Sequence, residues 1–295
     1  MSYKLEHNES IETGLRRIAG EQFDRALSEL DSDTLGPHEK ALAVRKRCKK
    51  VRGLIRLVRP AFEAYGAENG RLRDAARTLA GLRDAAAVLE CYEKLIADHP
   101  EPGNWTRVHA ELIDRRDRAA SADVQERLES FRSDLLAIRE RAQSWTIDAS
   151  GFDAIRGGIR KTYARARKAM TLAYEERSPE MFHEWRKCIK YDRYHTRLLA
   201  DAWQQAGESR YSEAKLLSDL LGAEHDLSEL RLAIENTPKD LLKLIRSRQT
   251  ELRLRAHELG KLLYADTPGE HTRRIERLFM DWYAGEPAPE SGAND

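Results

Sequence analysis

Apolar residues recur at spacings of three and four along most of the chain, which is the pattern of helices that bury one face. Two such series are Val44, Cys48, Val51, Ile55 and Val58, and Phe152, Ile155 and Ile159 with Ala166 and Ala169 further on. Alternation of apolar and polar residues, the pattern of a half-buried strand, is scarce. The chain is therefore predicted to be all-α, with about ten helices.

Clusters of Gly, Pro and Ser mark where these helices are expected to end. The predicted breaks are Leu35-Gly36-Pro37, residues 98–103, Ser150-Gly151, Ser178-Pro179, Thr237-Pro238 and Thr267-Pro268-Gly269. Ser178 is expected to cap a helix whose first residue is Pro179. Residues 286–295 are rich in Pro, Gly and acidic residues, which predicts a disordered tail.

Three segments recur in the same order at nearly one offset. Arg45, Lys46, Lys49, Arg52, Arg56 and Leu57 match Arg186, Lys187, Lys190, Arg193, Arg197 and Leu198 at an offset of 141. Gly14-Leu15-Arg16-Arg17 matches Gly158-Ile159-Arg160-Lys161, and Leu79, Asp84 and Val88 match Leu221, Asp226 and Leu230. A duplicated helical unit explains this pattern. We predict two pseudo-symmetric helical bundles, formed by residues 1–148 and 149–285.

Composition narrows the class of protein. The chain has 295 residues, of which 34% are charged. No run of 18 apolar residues is present, so a membrane span is not expected, and the first residues lack the apolar region of a signal peptide. Three widely spaced cysteines without a CxxC pair predict neither a disulfide framework nor a structural zinc site, which fits a cytoplasmic protein.

Positive charge is concentrated in a few segments. From Lys40 to Phe62 there are nine Lys and Arg residues and no acid, and from Ala154 to Ala173 there are six and none. From Arg186 to Arg197 there are five against one acid. The formal net charge is only +1, so the rest of the chain is acidic. Such segregation attracts an anionic partner to the basic segments.

The basic residues fall on single helical faces. The three stripes are Arg45, Lys49, Arg52, Arg56 and Arg59; Arg186, Lys190, Arg193 and Arg197; and Arg156, Arg160, Tyr163 and Arg167. The first stripe is roughly 21 Å long, and its four neighbouring like-charge pairs cost the helix about 1–2 kcal/mol. Acids on neighbouring helices could neutralise the stripes. A ligand could supply the counter-charge instead, and stripes of this length suit an extended polyanion held by Arg and Lys.

His183 precedes Arg186 by three residues and shares its helical face, so it is a candidate donor to a phosphate oxygen, or alternatively a core or capping histidine. No spacing such as HExxH supports a metal site that includes it. The chain has no P-loop, GxGxxG, GxSxG or kinase signature. No catalytic residue, metal or cofactor is predicted, and the protein is not expected to be an enzyme.

Several of these segments resemble the CHAD domain, the conserved-histidine α-helical domain. They are 182–194 (FHEWRKCIKYDRY), 44–52 (VRKRCKKVR) with 57–60 (LVRP), 158–165 (GIRKTYAR), 79–84 (LAGLRD) and 221–226 (LGAEHD). The resemblance covers residues 10 to 285, and residue types, spacing and duplication agree together.

The resemblance implies two helical bundles around a basic central groove or pore that binds inorganic polyphosphate, in a protein associated with polyphosphate granules. The family's histidine falls on His183, with basic partners at Arg186, Lys190 and Arg193, and in the first half at Arg45, Lys49 and Arg52. The matching histidine position in the first half holds Leu42, with His38 one turn earlier. Hydrolysis is not implied.

The predicted polyphosphate-binding set combines the stripes with this resemblance. It comprises Arg16, Arg45, Lys49, Arg52, Arg56, Arg160, Tyr163, Arg167, His183, Arg186, Lys190, Arg193 and Arg197. Two other functions are weighed against it. A helical protein that binds RNA or DNA would also use basic helices, but it needs contacts to bases. A phosphohydrolase that uses His183 would need a carboxylate or metal partner, for which no motif is evident.

Overall fold

The computed structural model describes residues 3–99, 105–121 and 124–284, and in these residues all regular structure is helical. The elements are α1 (Ile11–Asp31), α2 (Pro37–Leu57), a 3₁₀ turn (Arg59–Ala61), α3 (Tyr65–Thr78), α4 (Ala80–Ala97), α5 (Thr106–Ser121), α6 (Val124–Ala142), α7 (Asp153–Glu176), α8 (Pro179–Leu198), α9 (Ala200–Ala233), α10 (Lys239–Leu263) and α11 (Pro268–Ala284). The all-α prediction is confirmed. The predicted disordered tail, 286–295, lies outside the described residues.

Local sequence signals set several of the helix ends. The Ser178 side chain accepts a hydrogen bond from the Met181 backbone N–H, and Pro179 is the first residue of α8, as predicted. Ser10 caps α1 in the same way. At the start of α2 the Gly36 N–H donates to the Glu39 carboxylate over 2.8 Å. Each contact satisfies a backbone donor that a helix terminus leaves without a partner.

Helix pairing repeats between the two halves of the chain. In the first half α1 packs on α2, α6 packs on α1, and α5 packs on α4. The corresponding pairs in the second half are α7 on α8, α11 on α7, and α10 on α9. The long helix α9 corresponds to a first-half segment that is divided into the 3₁₀ turn, α3 and α4. The pairing pattern therefore follows the sequence repeat.

The apolar side chains form two cores, and both draw on both halves. The first core collects α1, α2, α3 and α6 together with the start of α7, the end of α8, the start of α9 and α11. The second collects α4 and α5 together with the rest of α7 and α8, α9 and α10. The boundary near residue 148 thus marks the repeat and does not divide the core. Residues of α7 and α8 belong to both cores and join them.

Two close approaches fix how the halves meet. Helix α8 crosses α2 at Gly53, where an added Cβ would lie 2.9 Å from the Tyr194 ring. The His195 Nε2–H donates to the Gly53 carbonyl oxygen over 3.1 Å, and burial lowers the pKa of His195 to about 3. Helix α7 touches the end of α2 so closely that a Cβ at Gly158 would lie 1.7 Å from the Leu57 carbonyl oxygen.

We predict that Gly158→Ala lowers the free energy of unfolding by at least about 2 kcal/mol, because α7 must move away from the α2 backbone to admit a methyl group. Urea denaturation followed by circular dichroism measures this change. Gly20→Ala is the control: it also lies inside a helix, but nothing lies within 4 Å of an added Cβ. It is expected to stabilise the protein by about 0.5–1 kcal/mol. Equal effects of the two substitutions would contradict the close approach.

Candidate anion-binding site

Helices α2 and α8 each bury an apolar face and direct basic residues away from it. Val44, Val51 and Ile55 of α2 are fully buried, as are Trp185 and Ile189 of α8. The apolar series that predicted α2 is therefore the face that packs. The basic residues between these positions surround the crossing of α2 and α8.

One flank of the crossing opens into a cleft of about 740 Å³, which we call the cationic cleft. Eight basic side chains from four helices line it: Arg25 of α1; Lys46, Lys49 and Lys50 of α2; Lys190, Arg193 and Arg197 of α8; and Lys215 of α9. No carboxylate is among its described lining residues. At neutral pH the cleft therefore concentrates positive charge that the protein does not balance from within the cleft.

Three tyrosines also line the cleft, and their rings pack against other groups. Tyr3 and Tyr194 are buried and meet edge to face with ring centroids 5.9 Å apart. The Lys50 ammonium lies 4.9 Å from the Tyr3 ring centroid, and the Arg197 guanidinium lies 5.4 Å from that of Tyr211. These cation–π contacts hold cations against aromatic faces and so reduce the cost of gathering like charges.

The pKa of Lys50 departs from the usual value of a lysine. Its pKa is lowered to about 8, first because burial disfavours the ammonium form and then because Arg47, Lys46, Arg25 and Arg197 repel it. An anion placed in the cleft would favour the ammonium form and raise this pKa again.

A second pocket of about 660 Å³ adjoins the cationic cleft, and Lys190 and Arg193 line both. Arg186 extends the row of cations into this pocket. Carboxylates also line it, among them Asp219, whose carboxylate pairs with Lys215 over 2.8 Å and lies 4.0 Å from Arg193. Asp219 therefore balances part of the charge of Lys215 and Arg193, although no carboxylate is among the described lining residues of the cleft itself.

The basic residues of the first predicted stripe, on α2, do not share one site in the structure. Lys49 lines the cationic cleft, but the Arg45 guanidinium donates to the Ala76 carbonyl oxygen over 2.5 Å, and the Arg52 Nε–H donates to Asn69 over 3.0 Å. Both acceptors lie on α3. The structure brings Lys46 and Lys50 to the cleft in their place.

Arg52 and Arg56 lie instead in a smaller cavity of about 160 Å³, which we call the compact cavity. Helices α2, α7 and α8 line it with Arg52, Arg56, Thr162, Arg165, Glu184, Lys187, Cys188 and Tyr191. It shares no lining residue with the cationic cleft. Of the residues predicted on α2, Lys49 thus lies in the cationic cleft, and Arg52 and Arg56 lie in the compact cavity.

The third predicted stripe is not part of either cavity. Tyr163 is fully buried and its hydroxyl donates to the Asp266 carbonyl oxygen over 3.1 Å, so the structure places this predicted phosphate ligand in the core and outside both cavities. Its ring stacks on His271 with centroids 3.9 Å apart. Arg156 pairs with Glu276 of α11, which is the neutralisation by a neighbouring helix considered above. Arg160 and Arg167 are exposed on α7 and line neither cavity.

Arg16, the repeat counterpart of Arg160, also lies apart from the cleft. Its Nε–H donates to the Trp145 carbonyl oxygen and its guanidinium pairs with Glu12, both over 2.7 Å. The bond to Trp145 ties α1 to the segment after α6. In the structure Arg16 therefore holds neighbouring segments together and does not line the cleft.

His183 contacts another histidine. Its Nδ1 lies 3.1 Å from the Nδ1 of His225, and the two line a cavity of about 280 Å³ with Asp84, Asp226 and Glu229. Burial, followed by the charges of Lys187, Arg186 and Lys190, lowers the pKa of His183 to about 4. A neutral imidazole beside three carboxylates does not favour a polyanion, so the structure separates His183 from the cationic cleft.

Two properties of the described residues bear on other functions. Within residues 3–99, 105–121 and 124–284, no group of three or more His, Cys, Asp and Glu side chains is arranged to hold a metal ion. No helix within those ranges combines the length and apolar character needed to cross a membrane.

Comparisons with known proteins agree with this architecture. The family model "CHAD domain" matches residues 17–235. The solved structure of PptA from Streptomyces chartreusis superposes with a TM-score of 0.56 at 13% sequence identity, over 90% of this chain and 100% of that chain. At this identity the likeness is one of fold. The search of curated proteins gave no match.

We predict that Lys50 titrates with a midpoint near pH 8, because burial and four neighbouring cations disfavour its charged form. Side-chain NMR of the lysine Cε–Hε groups measures the midpoint, and the spectrum of Lys50→Arg assigns the signal. Addition of a polyanion at constant ionic strength is expected to raise the midpoint. A midpoint above pH 10 in the protein alone would contradict the crowded environment.

Proposed function

The chain belongs to the CHAD domain family, and on that basis we propose that it binds inorganic polyphosphate in the cationic cleft. The observation that carries the proposal is the set of eight cations without a carboxylate among the described lining residues. Like charges gathered in one cleft repel one another, and a bound polyanion turns this repulsion into attraction.

The dimensions of the cleft favour a polymer over a small anion. A single phosphate engages two or three donors, whereas these cations come from four helices and surround about 740 Å³. Lys190 and Arg193 continue the cationic lining toward Arg186 in the adjoining pocket. A chain of phosphates meets successive cations along this path and releases counterions as it binds.

The tyrosines favour phosphate over nucleic-acid bases. RNA and single-stranded DNA are held in part by stacking of bases on exposed aromatic faces. Tyr3 and Tyr194 are buried against each other, and Arg197 covers Tyr211. The cleft therefore offers charge-assisted hydrogen bonds from its cations and little aromatic surface for stacking.

The proposed activity is binding without turnover. Cleavage of a phosphoanhydride requires a positioned nucleophile, usually with a metal or general base. The described lining of the cleft consists of cations, tyrosines and Leu42, which hold phosphate oxygens but supply no carboxylate base. We further propose that the protein acts in the cytoplasm, where polymer binding brings it to polyphosphate granules.

The triple variant Lys46→Gln/Lys49→Gln/Arg197→Gln tests the assignment. We expect it to weaken binding of labelled long-chain polyphosphate roughly ten- to hundredfold at moderate salt, because three cations no longer donate charge-assisted hydrogen bonds to the polymer. The slope of log affinity against log salt is expected to become shallower by about one for each phosphate that is no longer neutralised. Fluorescence anisotropy at several salt concentrations gives both values.

A matched control removes three cations from the outer face of α7. The variant Arg160→Gln/Arg167→Gln/Lys168→Gln changes net charge by the same amount but touches no lining residue of the cleft. Its affinity is expected to stay within about twofold of the parent protein. Equal reductions of affinity in both variants would mean that net charge alone drives binding, and the assignment to the cleft would fail.

A further inference from the structure

The compact cavity is the repeat counterpart of the cationic cleft. At the offset of 141, Arg52 and Arg56 correspond to Arg193 and Arg197, and Lys187 corresponds to Lys46. The same positions of the duplicated unit thus build a cavity on each flank of the α2–α8 crossing. The two cavities differ in size, about 160 Å³ against 740 Å³.

One residue difference between the repeats accounts for the different lining of the cationic cleft and the compact cavity. Lys50 of the cleft corresponds to Tyr191 in the compact cavity. The Tyr191 ring fills space there and lies against the Arg56 guanidinium, 4.1 Å from ring centroid to Cζ. The aromatic ring therefore narrows the compact cavity at the position where the cleft carries a lysine.

Arg56 is a buried cation for which the described residues supply no carboxylate partner. Its side chain is 9% exposed, its Nε has no hydrogen-bond partner, and no described carboxylate pairs with it. Tyr191 and Tyr65 cover its faces. A buried guanidinium is stable only when its charge and its N–H donors are satisfied, so this side chain favours an anion inside the cavity it lines.

The carboxylate of the cavity does not supply this anion. Glu184 is engaged by Lys187 and by Arg165, the latter over 3.3 Å. Four cations, Arg52, Arg56, Arg165 and Lys187, therefore face one carboxylate that two of them already use. The excess positive charge lies on the side of Arg52 and Arg56.

We propose that the compact cavity is a separate site for a small tetrahedral oxyanion, with inorganic phosphate as the probe. Arg56 and Arg52 would bind its oxygens from α2, and Lys187 and Arg165 would bind them from α8 and α7. Its volume suits one such group and excludes a folded length of polymer. The proposal goes beyond polymer binding in the cationic cleft and does not depend on it.

Calorimetric titration with inorganic phosphate at constant ionic strength tests the site, with chloride and sulfate as comparison anions. The protein is expected to bind one phosphate per chain, with a matching rise in thermal midpoint that chloride does not produce. Sulfate binding of similar strength indicates a site for tetrahedral oxyanions in general.

The variant Arg56→Gln/Lys187→Gln is expected to weaken phosphate binding at least tenfold. Since Arg56 is buried, Lys187→Gln alone, at an exposed residue, provides a second test and should weaken it severalfold.

The matched control is Lys46→Gln/Arg197→Gln, which changes the repeat counterparts of Lys187 and Arg56 in the cationic cleft. It is expected to leave phosphate binding unchanged and to weaken binding of long-chain polyphosphate. The proposal of a phosphate site in the compact cavity would be overturned if all variants bound phosphate as tightly as the parent protein, or if the parent protein bound none. Loss of polymer binding in the compact-cavity variant alone would mean that the polymer occupies that cavity and would also overturn it. Polymer affinity unchanged in the control variant would instead count against the proposed function of the cleft.

Discussion

The crossing of α2 and α8 at Gly53 is the contact on which the rest of the structure depends. Both helices are strongly basic, so their approach is opposed by electrostatic repulsion. The helices can approach because Gly53 has no side chain and so leaves room for the Tyr194 ring. The hydrogen bond from neutral His195 to the Gly53 carbonyl stabilises the contact. Because the apolar faces of both helices are buried in the shared cores, the basic residues are displaced to the two flanks of the crossing. The repulsion is thereby concentrated in cavities, where an anion relieves it.

Duplication followed by divergence accounts for the difference between those flanks. The two helices carry the same basic spacing, yet Lys50 and Tyr191 occupy equivalent positions, as do Leu42 and His183. On one flank lysines surround a wide cleft, whereas on the other an aromatic ring stacks on Arg56 and a carboxylate engages two of the cations. A pseudo-symmetric scaffold thus holds two cavities of the same charge and different size.

The sequence predicted much of the fold and part of the candidate anion-binding site. Helical periodicity located α2 and α7, and the repeat offset anticipated the matching helix pairs. On α8 the spacing identified Lys190, Arg193 and Arg197, which line the cleft. Spacing along one helix shows which residues share a face, but not which neighbour covers that face. For this reason the spacing placed Tyr163 on a basic helical face, whereas the structure buries it in the core. Arg25 and Lys215 reach the cleft only through the packing of α1 and α9 beside α2 and α8, for which the sequence carries no local signal.

We propose that the cationic cleft binds polyphosphate in preference to other polyanions. The most direct test is a binding titration of the parent protein with labelled long-chain polyphosphate, competed by RNA and by tripolyphosphate at low and moderate salt. We expect tight binding that survives moderate salt and is displaced poorly by RNA, because the cleft offers cations to phosphate oxygens and covers its aromatic faces. Equal competition by RNA, with affinity that collapses as salt rises, would contradict it and indicate a general polyanion surface.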